Sequence, residues 1–445
     1  MVSFSCTQNK PKELVVIYRQ EIIQDIRLFT NQPKARFYDT LFANLDTSAV
    51  AASAAKTGRK SQRSALFCAF IVMKCEGFSQ ITDLVDYLTN NLLIAHYCGF
   101  DIMKPLPSYW TFGRFLRNLD HQILKNVMQS QVLKLAQAGA IDTSFIGLDS
   151  TPQAANTHQN NAKSFAQNKF AKENQPKADS DCRLGVHCAS NQHNERNFEF
   201  YWGYKNHVLC DLITGLPIYE LTTPANVADS TVALDILRHT HSFLPIDECT
   251  FVADKGYDVK NIYNTVKSLY QGKCYIPFNR RSKKDLSFLA CGNPTCDAGL
   301  AMHKDGRYTD RKRGMCKQKS CCPFKLSNDD AACPCNHPRY VRSPGKKSRG
   351  CTKRRELPTP YGEARLELDR NSYEFKSVYA LRTECERYNS RFKSTGQERF
   401  WIRNGHSAAN LNTIAHISLL AIAVTAVITK SDVSYRCLKS VKRTA

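Results

Sequence analysis

The chain has 445 residues, with 42% apolar, 23% charged and 10% aromatic side chains. That is globular composition and excludes a mainly disordered or collagen-like chain; its length suggests about three domains. Its 62 Lys and Arg against 40 Asp and Glu give a net charge of +22, an excess that favours a polyanionic partner, usually nucleic acid.

The excess is concentrated. Residues 280–355 hold 20 Lys and Arg against six Asp and Glu, a surplus of 14, together with eight of the 19 cysteines. The N-terminus has no apolar core of secretory length, so the expected setting is cytoplasmic, with reduced thiols. The apolar run from Ile414 to Ile428 falls short of the roughly 20 residues needed to cross a bilayer and reads as a buried core helix, with no membrane partner.

Taken in chain order, residues 1–140 read as helical. Ser64–Met73 is an apolar core run, Ser79 is positioned to cap the next helix, and Ser108 opens another through Phe112, Phe115, Leu116 and Leu119. Arg114, Arg117 and Lys125 lie nearby. Two readings fit: a DNA-binding helix-turn-helix and an ordinary helical bundle. After Asp142 the texture becomes strand-like at 144–148, 198–204, 207–211, 216–222, 249–253 and 273–278, with a helix over 226–237. This alternation predicts a mixed α/β sheet. Residues 154–181, rich in Asn, Gln and Lys, read as an exposed loop, and 280–360 as a Cys-rich basic insertion. Helical pattern resumes near Tyr373, with a break at 396–405.

Two acids fall at the expected C-terminal ends of apolar strands, where α/β folds place functional groups: Asp149 in Gly147-Leu148-Asp149-Ser150-Thr151, and Asp254 in Val252-Ala253-Asp254-Lys255-Gly256-Tyr257-Asp258. Taken singly, each is more simply a turn former. Tyr379, Arg382, Glu386 and Lys393 lie at offsets 0, 3, 7 and 14, which on one continuous helix falls within about 60° of one face. Glu384 points elsewhere. Trp401 reads as a core residue before a base-stacking platform.

Together these segments resemble the DDE-type insertion-sequence transposases. Tyr379-x2-Arg382-x3-Glu386-x6-Lys393 is similar to the Y-R-E-K signature of the insertion-sequence-four group and its relatives, and Gly203-Tyr204-Lys205-Asn206-His207 with Asp211 to the following strands of their catalytic domain. The resemblance implies an RNase H-like catalytic domain over 141–279 and 361–430, interrupted by the 280–360 insertion, preceded by an N-terminal helical domain (1–140) for which DNA binding is one of the two readings, and followed by a basic tail (431–445). It implies catalytic Asp149, Asp254 and Glu386 holding Mg²⁺ or Mn²⁺, two ions per site. It further implies DNA contacts from Tyr379, Arg382 and Lys393, with Lys255 and Tyr257 ranked lower. The partners would be double-stranded transposon-end and target DNA, bound by a homodimer in a bacterial, nucleoid-associated setting. The activity implied is cut-and-paste DNA cleavage and strand transfer. The alternatives are a transposase-derived regulator without catalysis and a non-transposing nuclease of the same fold.

In the insertion, Arg311, Lys312, Arg313, Lys353, Arg354 and Arg355 form the densest basic clusters and are expected to meet phosphates. Cys291, Cys296, Cys316, Cys321, Cys322, Cys333, Cys335 and Cys351 suggest a structural Zn²⁺ site of undetermined ligand set, since a segment with so little apolar core needs an organiser. No pair has C-x2-C spacing, and a basic loop with incidental thiols is the competing reading.

Overall fold

The computed structural model describes residues 33–52, 62–157, 172–190, 196–279, 294–296, 298–311, 315–323, 352–357 and 364–429. In chain order the helices are α1 (Pro33–Asn44), α2 (Ser48–Ala52), α3 (Arg63–Glu76), α4 (Ile81–Asn90), α5 (Leu92–Tyr97), α6 (Tyr109–Asn118), α7 (His121–Gln137), α8 (Asp229–His241), α9 (Lys260–Leu269), α10 (Tyr373–Ala380), α11 (Thr383–Phe392) and α12 (Gly405–Ile428). The strands are β1 (Phe145–Ala154), β2 (Arg183–Ser190), β3 (Arg196–Asp211), β4 (Pro217–Pro224), β5 (Thr250–Ala253), β6 (Lys273–Tyr275), β7 (His303–Asp310), β8 (Met315–Cys321) and β9 (Thr352–Leu357). The chain divides into two compact units. One comprises 1–138, 155–157 and 391–445; the other 139–154 and 158–390.

The first unit is helical. α12 is apolar on all sides and packs against α7, α3, α1 and α6. One described helix, α12, is long and apolar enough to cross a membrane, and 83% of its apolar window is buried within the protein. Its start is fixed by Asn404, whose side chain accepts a hydrogen bond from the Ser407 N–H at 2.8 Å. Asn410 donates to the Leu116 and Leu119 carbonyls at 2.9 Å, satisfying the end of α6. The expected cap at Ser79 is not made: Gln80 occupies that position, with no side-chain hydrogen bond. The segment expected to be the last part of the catalytic domain (361–430) is divided at 390/391, because α12 buries its apolar surface among the N-terminal helices. On α6, Arg114 and Arg117 are exposed; Lys125, on α7, is buried. Beside the two arginines, Tyr109 and Trp110 (65% exposed) lie with ring centroids 4.7 Å apart.

Lys74 ends α3 inside this unit. It is fully buried, and its ammonium donates to Gln397 Oε1 at 3.2 Å and to the Phe78 carbonyl at 3.4 Å. Burial pulls its pKa down to about 7. Because the folded value lies below the unfolded one, the unfolded chain binds the extra proton between about pH 7 and 10.5. The penalty is therefore full below pH 7 and fades as pH rises. Lys74→Met should be more stable than the wild type by about 2 kcal/mol at pH 7, with the gap closing by pH 10. Urea unfolding at the two pH values checks this, and a pH-independent gap would contradict it.

The second unit is built on a six-stranded mixed sheet ordered β2-β3-β1-β5-β6, with β4 also pairing β3. β1, β3 and β4 are antiparallel neighbours, while β1, β5 and β6 run parallel. An antiparallel meander extended by parallel strands with helical crossovers fits an RNase H-like fold. The two expected runs at 198–204 and 207–211 are one 16-residue strand, β3. β2 falls just after the expected loop and was not foreseen, since its small and basic residues give a weak strand pattern. Within 280–360 a separate antiparallel sheet, β7-β8-β9, gives the insertion a backbone order that its composition does not suggest.

Asp258 pins the root of that insertion. Its buried carboxylate accepts from Arg365 Nε at 2.6 Å, from the Asn279 N–H at 2.7 Å and from Tyr263 Oη at 3.0 Å. Phe278 lies between Arg365 and Arg370, whose guanidinium carbons are 4.9 and 4.2 Å from its ring centroid. The chain entering the insertion and the chain leaving it are thus tied to one loop.

Candidate active site

Gly147 sets the approach. A Cβ there would stand 2.5 Å from Leu212 Cδ2 and 2.7 Å from Cys385 Sγ. Only glycine lets α11 press its buried Cys385 against β1, two residues before Asp149. Cys385 joins Leu212, Val252, Tyr275 and Phe375 in one apolar cluster that seats α10 and α11 on the sheet.

The parallel ladder between β1 and β5 ends at Leu148 and Ala253, so Asp149 and Asp254 are the next residues on neighbouring strands. Adjacent strands lie roughly 5 Å apart, which places the two acids side by side. Asp149 is not at a strand end as expected: β1 continues to Ala154, and Asp149 pairs with Val208 of β3. Asp254 does end its strand and caps the short turn Lys255–Tyr257, accepting from the Gly256 N–H at 2.6 Å.

Glu386 comes to the same place from α11. Arg382 bonds its carboxylate directly and also reaches Asp149 Oδ2 at 3.9 Å. Asn389 Nδ2 donates to Asp149 Oδ2 at 3.0 Å. Burial dominates Asp149 and raises its pKa to about 6; Arg382 opposes this, and Asp254 and Asp229 add to it. The folded value lies above the unfolded one, so this stability is present at low pH and lost as pH rises through about 6. Asp149→Asn should therefore be more stable than the wild type by about 1–2 kcal/mol at pH 8 without added metal, the gain vanishing near pH 4. Thermal melts in EDTA check this, and a loss of stability at pH 8 would contradict it.

The expected single helical face is corrected. The helix breaks between Ala380 and Thr383, where Arg382 N–H bonds the Tyr379 carbonyl and Cys385 N–H bonds that of Arg382 in a tightened turn. Tyr379 thus ends α10, stacked on Phe375 at 5.9 Å, while Glu386 sits on α11. Lys393 opens the turn Lys393–Gln397 and is grouped with the helical unit. Glu384 pairs with Arg387, away from Arg382.

Tyr257, expected to contact DNA, is 1% exposed, and burial raises its pKa well above the ordinary value. Its ring fills the core beneath the acids and does not reach a ligand from outside. Lys255 is exposed on the same turn. Trp401 is not the core residue expected: it is 41% exposed, with the Arg399 guanidinium 5.0 Å from its ring.

The donors suit a hard divalent ion in kind: they are three carboxylates, one of which, Asp149, is half-buried. Among the described residues no group of three or more His, Cys, Asp or Glu side chains forms a ready metal cage. Arg382 supplies the positive charge between Asp149 and Glu386 in this arrangement.

The profile of the family described as transposase DDE domain matches residues 136–421, more than half of the chain. The chain belongs to this family. No curated protein sequence matches it. Among solved structures, the "piggyBac transposase synaptic complex with hairpin DNA" is similar over 93% of this chain and 80% of that one, at 11% identity and a TM-score of 0.38. The matched span takes in Asp149, Asp254, Arg382 and Glu386, as well as the whole insertion.

Two contributors near Asp149 escaped the sequence reading. Asp229, at the start of α8, bonds Lys205 at 3.0 Å and stands 3.7 Å from His207 Nδ1. Burial lowers His207 to about 4, so the imidazole is neutral at pH 7. Lys205 and His207 lie in the Gly203–His207 segment noted for its resemblance, but nothing in the sequence ties them to Asp229. Asn389 had a usable signal: it lies three residues after Glu386, one helical step away on the same side.

In the insertion, Lys353 and Arg354 lie on β9, and Arg311 follows β7; all three are among the described residues, as is the backbone of Arg355. The Arg354 guanidinium lies 5.7 Å from the Tyr308 ring centroid. Lys312 and Arg313 fall outside the described residues, as do Cys291, Cys333, Cys335, Cys351 and the tail 431–445. Cys296, Cys321 and Cys322 are buried and Cys316 is half-buried, and among the described residues they form no metal-holding group.

Proposed function

We propose that this DDE-family transposase cleaves DNA at transposon ends and joins the freed strand to target DNA, as a cut-and-paste enzyme of the Y-R-E-K, insertion-sequence-four-like group. Asp149, Asp254 and Glu386 are the acids of the site and would hold Mg²⁺ or Mn²⁺, two ions per site. Such ions, when bound, activate the attacking oxygen and stabilise the leaving one. The observation that carries the reading is Arg382, which spans Asp149 and Glu386 across elements more than 200 residues apart. A lone charged stripe on a helix would have no such partner on β1.

The protein's own groups divide the work. Asp149 and Asp254 fix one side of the site on the rigid sheet, and α11 brings Glu386 to the other. Arg382 offers a planar fork to a phosphate near the scissile bond, while holding the acids together until the site is loaded. Attack is in line: a water or 3′-hydroxyl oxygen bonds to phosphorus as the bond to the 3′-oxygen breaks. Lys255, Tyr379 and Lys393 add contacts to the DNA end.

DNA is gripped elsewhere as well. Lys304, Arg307, Arg311 and Arg354 are exposed on or beside β7 and β9, with Lys312, Arg313 and Arg355 extending the patch in sequence. In the helical unit, Trp110, Tyr109, Arg114 and Arg117 combine stacking and cationic groups. Two ends must be joined, so the protein works as a homodimer on DNA, in the bacterial cytoplasm. A structural Zn²⁺ held by cysteines of the insertion is part of this proposal. The test is a strand-transfer assay with Mg²⁺ and transposon-end DNA. Cleavage and joining support the reading, cleavage alone supports a nuclease, and binding alone supports a regulator.

A further inference from the structure

Trp401 lies in the loop between the turn Lys393–Gln397 and α12. Its neighbour Phe400 is 1% exposed and fills the apolar interior there, whereas the Trp401 ring stands 41% exposed. The backbone that carries the ring is fixed on both sides. The Trp401 carbonyl accepts from Asn156 Nδ2 at 3.3 Å. Three residues on, Asn404 holds a positive φ of 87° and caps α12 through the Ser407 N–H. The Arg399 guanidinium lies 5.0 Å from the indole ring centroid, and Arg403 is exposed on the same loop. An indole presented in the open from a fixed loop, with cations beside it, is preorganised for a planar, anionic partner.

The loop is also tied to α6. His406 Nε2, in the first turn of α12, stands 2.8 Å from the Leu119 carbonyl, and Asn410 bonds the carbonyls of Leu116 and Leu119. On α6, Phe112, Phe115 and Leu116 are buried, while Trp110, Arg114 and Arg117 fall at offsets 0, 4 and 7 and share the exposed face. The helix carries no acid. Nearby, Asp120 and Glu398 are exposed, against the four arginines 114, 117, 399 and 403. A second copy of a chain with net charge +22 would meet this surface with like charge, so charge favours a polyanion.

We propose that Trp401, with Arg399 and Arg403, stacks on unpaired DNA bases, and that Trp110, Arg114 and Arg117 of α6 extend this single-strand surface. In a duplex, neighbouring bases cover each π-face, so an open indole gains stacking only where a strand is unpaired. The arginines then take the phosphates on either side, and stacking accepts any base. This inference rests on the DNA-binding reading above and deepens it: the helical unit holds a single strand, whereas the basic sheet of the insertion meets duplex phosphates.

The test measures binding of full-length protein to a thymidine oligomer and to a duplex of the same length, at one salt concentration. Trp401→Ala is expected to bind the oligomer about tenfold more weakly, the loss of one base–aromatic stack, and the duplex within about twofold of wild type. Trp401→Phe should recover most of the single-strand affinity. Fluorescence supplies a second reading, because the chain has three tryptophans and Trp202 is buried. The oligomer should quench emission in Trp110→Phe and leave it unchanged in the Trp110→Phe/Trp401→Phe double variant. Wild-type oligomer affinity in Trp401→Ala, or an equal loss on oligomer and duplex, would overturn the proposal. An unchanged affinity with a lower sedimenting mass would overturn it in favour of a contact between copies of the chain. A wild type that binds neither DNA would overturn the DNA-binding reading and this inference with it.

Discussion

Arg382→Ala should lower single-turnover strand transfer by about 10²–10³, the loss of one preorganised cationic donor in a site of this kind. Arg382 bonds Glu386 and lies 3.9 Å from Asp149 Oδ2, so it offsets the repulsion between acids that the fold forces together. It is also the strongest influence holding Asp149 down against burial. Removing it leaves Asp149 and Glu386 without their shared countercharge and takes away the fork proposed to orient the phosphate. Arg382→Lys restores charge without the fork and should recover part of the rate, leaving a deficit of about tenfold. Rates within twofold of wild type in Arg382→Ala would show that the pair is only a surface ion pair, worth little.

Asp258→Ala is expected to destabilise the sheet-containing unit by about 3–5 kcal/mol, since it strands a largely buried guanidinium. Asp258 has no exposed side-chain surface and receives hydrogen bonds from Arg365, Asn279 and Tyr263, which lose these bonds together. Asp258→Asn keeps an acceptor oxygen and should cost less. Because these partners flank the insertion, limited proteolysis of Asp258→Ala should open cleavage near 279 and 365 before the sheet is cut. Melting curves for the two variants check the order, and an Asp258→Ala protein as stable as wild type would contradict it.

The comparison between sequence and structure turns on particular residues. Asp149 and Asp254 were legible because each follows a short apolar run, and the ladder of β1 and β5 ends where those runs end. Glu386 was legible through its spacing from Arg382, which survives as the i,i+4 ion pair on α11. The continuous helix carrying Tyr379 through Lys393 was an overreach: period alone does not register the tightened turn after Ala380. Tyr257 was misread because a tyrosine beside an acid looks like a ligand contact, whereas packing against the sheet decided its burial. Asp258, Asp229 and Lys205 could not be assigned, because their partners are brought to them only by tertiary folding. The division at 390/391 was hidden for the same reason: the apolarity of α12 announces a core helix but not which core it joins. Gly147 stood in plain view, and its role emerges only once Cys385 is seen against it.

The central claim, that Glu386 rather than Glu384 completes the acidic site with Asp149 and Asp254, is tested most directly by strand transfer with Mg²⁺ and transposon-end DNA in Glu386→Gln and Glu384→Gln. The account predicts that Glu386→Gln loses about a thousandfold or more in both cleavage and joining, equivalent to about 4 kcal/mol of transition-state stabilisation, while binding DNA and melting as the wild type does. Glu384→Gln, which disturbs the pair with Arg387, should retain the rate within a few-fold. Wild-type cleavage by Glu386→Gln, with cleavage abolished in a folded Glu384→Gln, would contradict the account.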